Sequence, residues 1–346
     1  MSTTTAPPDE RLASSSRFST ILRRPEGGAV VAALAVMIFF SVYTESFMTA
    51  KGVGPWLESA STFGIMAVAV SLLMIGGEFD LSAGVMTGFT ALIVGVMTTH
   101  YGLNIWVAVL LSLVIALGVG ALNGILVMKT GLPSFIVTLG TFFVLQGIDL
   151  ALVKAIIGQV SIQGMAKVPY YDSIQPFFGH SFGFGGGGSV YVSVIWWIAV
   201  TAIATWVLLR TRAGNWIFAV GGAQVSARQV GVPVFKTKVG LFMTTALAGW
   251  LVGMISLFRT STVGSNTGVG QEFIYIICAV VGGCLLTGGY GSAVGAAFGA
   301  LIYGMTYQGI VYAQWDSNWL KTFLGAMLLG SVFLNNWVRE RAEKSR

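Results

Sequence analysis

The chain has 346 residues, of which 55% are hydrophobic and only 9% are charged. A soluble domain carries about 25% charged residues, so the composition excludes an ordinary soluble enzyme or binding module. The formal net charge of +6 is not read as a nucleic-acid surface, because the basic residues are sorted by position along the chain.

The first segment, residues 1–27, is polar and mixed in charge (Asp9, Glu10, Arg11, Arg17, Arg23, Arg24). A cleaved signal peptide would place one apolar run and a small-residue cleavage site near its start; here the apolar run begins late and many follow, so the segment reads as a cytoplasmic tail. No Asp, Glu, Lys or Arg occurs between Leu81 and Met128, Ser173 and Leu209, or Phe273 and Trp315. A membrane-crossing helix needs about 20 apolar residues. The apolar runs predict ten crossings, at roughly 28–47, 57–76, 82–99, 104–128, 133–152, 189–209, 239–258, 273–288, 291–312 and 320–338. The expected fold is therefore an all-α polytopic membrane protein, with a permease domain over 28–338 and a second cytoplasmic tail over 339–346.

Lys and Arg accumulate in cytoplasmic loops. With both termini inside, 14 of the 19 basic residues fall inside, leaving Lys51, Lys154, Lys167, Arg259 and Lys321 outside. Two long loops follow: an outer one over about 154–188 that ends in Gly185 to Gly188, and a basic inner one over 210–238. Gly88-Phe-Thr-Ala-Leu-Ile-Val-Gly95 is similar to Ala297-Phe-Gly-Ala-Leu-Ile-Tyr-Gly304, a weak internal repeat at an offset of 209. The 46 glycines suit close helix packing in lipid, and also suit broken helices beside a polar path. Cys278 and Cys284, about 240° apart on one ideal helix, fit no metal or redox spacing and read as packing residues.

Three blocks carry the polar chemistry. In Gly76-Gly-Glu-Phe-Asp-Leu-Ser-Ala-Gly84 two acids, Glu78 and Asp80, stand between long uncharged runs. An acid at the bilayer centre costs about 2.5–3.5 kcal/mol on insertion scales. Glu78, Asp80 and Ser82 are thus a capped turn before a helix or part of a substrate gate. The second block joins Asn123, in an apolar helix, to Pro133-Ser-Phe-Ile-Val-Thr-Leu-Gly-Thr141. Asn123 requires a hydrogen-bond partner there. Thr138 and Thr141 can bond backbone carbonyls or a passing hydroxylated ligand, and Phe135 is grouped with the pathway candidates. The third is the inner loop, where a short helix is expected between Gly222 and Gly231, with Ala223, Ala227 and Val230 on one face for docking to a partner. Gly221, Gly222, Gln224, Ala227, Arg228 and Gly231 are its candidate coupling residues.

The sequence contains no Gly-x4-Gly-Lys-Ser/Thr phosphate loop and no His-Glu-x-x-His, with His100 and His180 in or near outer loops. A proton-coupled carrier usually places ionisable groups deep in its helices; only Asp149 approaches that, and it lies near the outer end of its expected crossing.

Together these blocks resemble the ribose/xylose-type sugar permeases of bacterial ABC importers, over about residues 57–338. The turn is similar to that family's Gly-Gly-x-Asp-Leu-Ser-x-Gly. Further matches are Asn123-Gly124, Pro133 to Gly140, Thr211-Arg-x-Gly214, Ala219 to Gly222, Ala227-Arg228 with Gly231, Gly270-x-Glu272, Ala279 to Gly283, and Gly288 to Ser292. Three positions depart: Ala223 and Gln224 replace the usual Asn and Glu, and Ile274 replaces an Asp. The resemblance implies an inner-membrane, non-catalytic subunit working as a homodimer on a small sugar. It also implies a cytoplasmic ABC ATPase that carries the ATP and Mg²⁺, a periplasmic or lipid-anchored sugar-binding protein, and no cofactor on this chain. A nucleoside or branched-chain amino-acid permease is the alternative in the same class. An ion-coupled carrier or channel is the alternative outside it, with a membrane enzyme least supported.

Overall fold

The computed structural model describes residues 26–316 and 318–344, with side chains described no further than Phe333. Residues 1–25 and 345–346, most of the expected N-terminal tail and the end of the C-terminal one, lie outside the described residues.

The longer helices have terminators that the sequence supplies. Helix α1 (Gly27–Tyr43) leads to α2 (Ala50–Ile75), whose first turn is capped by the Thr49 hydroxyl accepting from Gly52 N at 3.0 Å. After the Gly76-Gly77 turn, α3 (Ala83–Thr99) follows. Helix α4 (Ile105–Thr130) opens on the Asn104 side chain and stops at Gly131, whose φ of 70° is left-handed. Helix α5 (Ser134–Ile157) opens after Pro133 and stops at Gly158.

The expected outer loop is ordered rather than structureless. It contains β1 (Ser161–Ile162), α6 (Tyr171–Phe178) and a hairpin of β2 (Ser181–Phe184) with β3 (Gly188–Tyr191). The hairpin register runs from Ser181 opposite Tyr191 to Phe184 opposite Gly188. Helix α7 (Val192–Arg210) then leads to α8 (Arg212–Gly222) and α9 (Gln224–Gln229), the helices of the expected inner loop. Helix α10 (Val234–Thr260) follows, then β4 (Val263–Gly264), which pairs antiparallel with β1. Last come α11 (Gln271–Val281), α12 (Ala293–Tyr312) and α13 (Trp319–Lys344).

Among the described residues six helices are long and apolar enough to cross a membrane: α2, α4, α5, α7, α10 and α12. Apolar helices α1, α3, α11 and the Trp319–Phe333 part of α13 match the other four expected crossings but are shorter. The eighth expected crossing, 273–288, differs most. Helix α11 has 11 residues, about 16 Å at 1.5 Å per residue, against a hydrocarbon core of about 30 Å. Gly282-Gly283 end it, and the left-handed Gly283, Gly288 and Gly289 carry the chain through an irregular segment to α12. Such backbone is tolerated at membrane depth only where protein covers it, and Cys284 within it is buried. Both cysteines are free and buried, as packing residues should be, although Cys284 lies past the helix end.

Burial divides the helices into a centre and a perimeter. In the apolar stretch of α2, 78% of residues are buried, against 22% in α7. Helices α2, α3, α10 and α12 form the centre, and α4, α5 and α7 turn large apolar residues such as Val114, Phe143, Ile198 and Trp206 outward. A soluble monomer rarely exposes such contiguous apolar surface; lipid is the solvent that suits it. Glycines set the central contacts. Gly124 of α4 leaves room for Val239 of α10, where a Cβ would stand 2.7 Å from the Val239 Cα, and Gly304 of α12 receives the backbone of α2 at Trp56 and Ala60.

Candidate functional site

The turn between α2 and α3 is a fully partnered polar knot. Phe79 N donates to Ser134 Oγ and Leu81 N to Thr138 Oγ1, each at 3.0 Å. Pro133 caps α5, whose Ser134 and Thr138 hydroxyls, one turn apart, meet those amides, while Thr138 also donates to Ser134 O within its own helix. Asp80 Oδ1 accepts from Ser82 N at 2.9 Å and from Ser82 Oγ at 2.6 Å, and Oδ2 accepts from Thr245 of α10 at 2.8 Å. Asn123 of α4 donates to Ser82 Oγ at 3.0 Å and accepts from Thr141 at 2.6 Å. Burial pushes the Asp80 carboxyl above the usual carboxylate range, and the hydrogen bonds from Ser82 and Thr245 pull the other way. The local-cap reading of Asp80 is thus satisfied, and its carboxylate also ties two distant helices together.

Glu78 forms an ion pair with Lys238 at the start of α10. Lys238 Nζ also donates to Gln224 Oε1 of α9 at 2.7 Å. Both charged side chains are almost wholly buried. Placing two charges out of water costs several kcal/mol each, offset only by close pairing and further hydrogen bonds. Gln224, one of the departures from the resembled family, supplies one of those bonds without adding charge.

Three glycine pairs meet beside this ion pair. A side chain at Gly221 would collide with the Ile75 carbonyl oxygen, and one at Gly288 would stand 2.8 Å from the Gly77 Cα. Gly289 N donates to Ile75 O at 2.8 Å. The end of α8, the α2–α3 turn and the irregular segment before α12 are therefore in backbone contact. Gly77, at φ 81°, takes a left-handed conformation that a side chain would strain.

Of the pathway candidates, Glu78, Asp80, Ser82, Asn123 and Thr138 are buried and share this knot. Phe135 does not join them: it is 48% exposed, on the apolar perimeter. In the inner loop, α9 is the short helix expected between the glycines, but its apolar face is corrected. Ala227 is buried within its own chain against Val220 and Val234, whereas Ala223 is exposed and Val230 is 79% exposed. Helix α8 extends the loop's structure upstream. Its cap is Thr211, which accepts from Gly214 N at 3.2 Å, and Gly214 packs on the Leu208 carbonyl; the Thr-Arg-x-Gly motif is a tight corner after α7. Gly231, at φ 84°, turns the chain after α9, and Arg228 is exposed.

The open polar space lies elsewhere. A cavity of about 460 Å³ is enclosed by α2, α3, α10, α11 and α12, with Glu58 and Arg259 facing it as an ion pair at 3.1 Å. None of the six pathway candidates lines it. Sequence reading passed over Glu58 and took Arg259 only as an outer charge; a lone acid in the first turns of a crossing was the available signal.

A family model described as "branched-chain amino acid transport system / permease component" matches residues 52–332. The chain belongs to this family. The match spans the polar turn, the inner loop and both ion pairs, so this is a multi-pass membrane permease. The fructose import permease protein of Rhizobium meliloti is 30% identical over 318 residues, covering 90% of this chain and 85% of that protein. The ribose import permease protein of Escherichia coli K12 is 29% identical over 326 residues, covering 92% and 96%. An inner membrane ABC transporter permease protein of the same organism is 30% identical over 273 residues, covering 79% and 80%. Relatives this similar carry different sugars in their names, so overall identity does not select the substrate. Ile274, where the resembled sugar permeases usually have Asp, lines the cavity.

Proposed function

We propose that the chain is the permease subunit of a binding-protein-dependent ABC importer in the bacterial inner membrane, moving a small sugar inward. It works as a homodimer, with both termini and the 210–238 loop cytoplasmic. It performs no bond chemistry and binds no cofactor; ATP and Mg²⁺ sit on a separate ATPase, and a sugar-binding protein delivers the substrate outside.

The observation that carries this reading is the physical link between the inner loop and the helix core. Gln224 stands within the loop and Lys238 at its end, and the same ammonium that holds Gln224 holds Glu78 of the core turn. A partner that draws on α8 and α9 must strain that ion pair and the Gly221–Ile75 contact together. Nucleotide binding to the ATPase can then switch access only by favouring one of two arrangements of this junction. The sugar assignment rests on the resemblance and on the named substrates of the relatives.

The test is uptake into inside-sealed vesicles holding this chain with its co-encoded ATPase and binding protein. D-ribose, D-fructose and L-leucine are supplied in parallel. ATP-dependent uptake of a sugar, lost when the ATPase is omitted, is the expected result. Uptake of L-leucine alone would favour the amino-acid reading. Uptake that persists without the ATPase would move the chain to the ion-coupled carriers.

A further inference from the structure

The cavity beside Glu58 and Arg259 has the chemistry of a binding site rather than of a packing defect. Packing defects in protein interiors are small and apolar; this one is about 460 Å³, within the range of about 300–1,000 Å³ for small-molecule sites. One wall is aromatic. The Phe63 ring packs 4.4 Å from that of Tyr303 and 5.5 Å from that of Tyr275, and Tyr303 stacks on Tyr307 at 6.0 Å between centroids. Facing this row are the Glu58–Arg259 pair and the Gln271 side chain, which accepts from Tyr275 at 2.8 Å. Arg259 also lies 5.8 Å from the centre of the Tyr191 ring, so the outer hairpin braces the guanidinium.

We infer that this cavity is a carbohydrate station within the permease, taking one neutral monosaccharide-sized polyol between the Tyr303–Tyr307 wall and the Glu58–Arg259–Gln271 group. Aromatic faces take the C–H faces of a sugar ring, and a carboxylate, a planar guanidinium and an amide offer acceptors and donors to its hydroxyls. Because Glu58 and Arg259 neutralise each other, the site gains nothing from a charged ligand and favours an uncharged polar one. The aromatic wall, the amide and the paired charges stand on four different helices, α2, α10, α11 and α12, so movement of the helices against one another takes the site apart and releases the ligand. The station is expected to bind weakly, in the millimolar range, since a tight site would hold its cargo.

The inference rests on the sugar reading above, and its test separates the two. Full-length permease in lipid nanodiscs, with neither ATPase nor binding protein, is equilibrated with radiolabelled D-ribose, D-fructose or L-leucine, and bound label is counted. Saturable millimolar binding of at least one sugar is expected, with none of L-leucine. Tyr307→Ala, at a half-exposed ring whose loss spares the core, should weaken that binding at least tenfold. Arg259→Lys, which keeps the charge and loses the planar fork, should also weaken it. Phe135→Ala, on the perimeter, should leave it unchanged, and size-exclusion chromatography checks that each variant is folded. Absence of saturable binding of either sugar, or sugar binding indifferent to Tyr307→Ala and Arg259→Lys, overturns the inference. If vesicles carry a sugar but the nanodisc permease binds none, the station falls and the importer reading stands. If the nanodisc permease binds sugar through these residues but vesicles carry only L-leucine, the importer's substrate reading falls and the station stands.

Discussion

The two ion pairs join the same two stretches of chain at opposite ends. Glu58 near the start of α2 meets Arg259 at the end of α10, and Glu78 just after α2 meets Lys238 at the start of α10. Seventeen residues of α2 separate Glu58 from the helix end at Ile75, about 25 Å along a helix, and Glu78 lies in the turn just beyond it. What differs is the surroundings. At the Glu78 end the charges are buried, the turn amides have hydroxyl partners, and three glycine pairs bring backbones into contact. At the Glu58 end Arg259 is about one-third exposed and the pair borders a cavity. Glu58 itself is nearly as buried as Glu78, so the ends differ in their cations and in the cavity: one end is closed, the other opens on a cavity. Similar residue chemistry thus serves as a lock at one end and as a lining at the other, and solvent access makes the difference.

The sharpest way to break this comparison is to remove one cation from each end. Lys238→Met leaves Glu78 buried without a partner, which costs about 3–5 kcal/mol. Arg259→Met leaves Glu58, itself 13% exposed, without its cation but bordering a cavity through which solvent can reach it, so the loss should be smaller than at Lys238. Melting temperature and folded yield in detergent should rank the variants in that order. Equal losses would mean that the two ends do not differ in solvation.

Next in size is Ala227→Glu, which drives a carboxylate between Val220 and Val234. An unpaired buried charge belongs to the few mechanisms that cost more than about 3 kcal/mol. The inner loop should therefore become sensitive to protease. Val230→Glu, on the exposed side, should stay within about 0.5 kcal/mol of the parent in stability and yet reduce ATPase association. Protease resistance of Ala227→Glu would return that residue to the outer face of the loop.

Smaller again is Gly221→Ala. Its methyl meets the Ile75 carbonyl, and overpacking of this kind costs about 1–3 kcal/mol. The core should survive while sugar-stimulated ATP hydrolysis falls, because the loop no longer seats on the turn. Unchanged stimulation would detach the glycine junction from coupling. The mildest change is Asp80→Asn. The amide keeps one acceptor oxygen for either Ser82 or Thr245, and mispairing at the other position costs about 1 kcal/mol. Transport counted per folded molecule separates a capping role, which leaves it normal, from a gating role, which lowers it.

Much of the closed end was legible in the sequence, because acids and amides are rare between apolar runs and must find partners. Glu78, Asp80, Ser82, Asn123 and Thr138 announce themselves for that reason. Their partners do not. Lys238 lies 160 residues from Glu78 and reads as one more positive charge in an inner loop. The inward turn of Ala227 was hidden too, since a six-residue helix shows apolar spacing without showing which side the protein covers. Helix α11 stops at Gly282 although apolar residues continue to Leu286, so a hydropathy window runs past its true end. The cavity was the least legible of all: it is assembled from five helices, and no local pattern marks residues that become neighbours only after packing.

Two thiols in otherwise cysteine-free backgrounds test the closed-versus-open contrast most directly. Ser59 lines the cavity, and the natural Cys284 lies with Ile75 and Leu241 in the core behind the glycine junction. A small water-soluble thiol reagent is applied to the resting permease, once with Ser59→Cys in a protein lacking both natural cysteines and once with Cys284 after Cys278→Ala. Modification should be rapid at position 59 and absent at Cys284, with Cys284 becoming reactive when Lys238→Met is added. Modification of Cys284 as fast as position 59 in the resting permease would contradict the contrast.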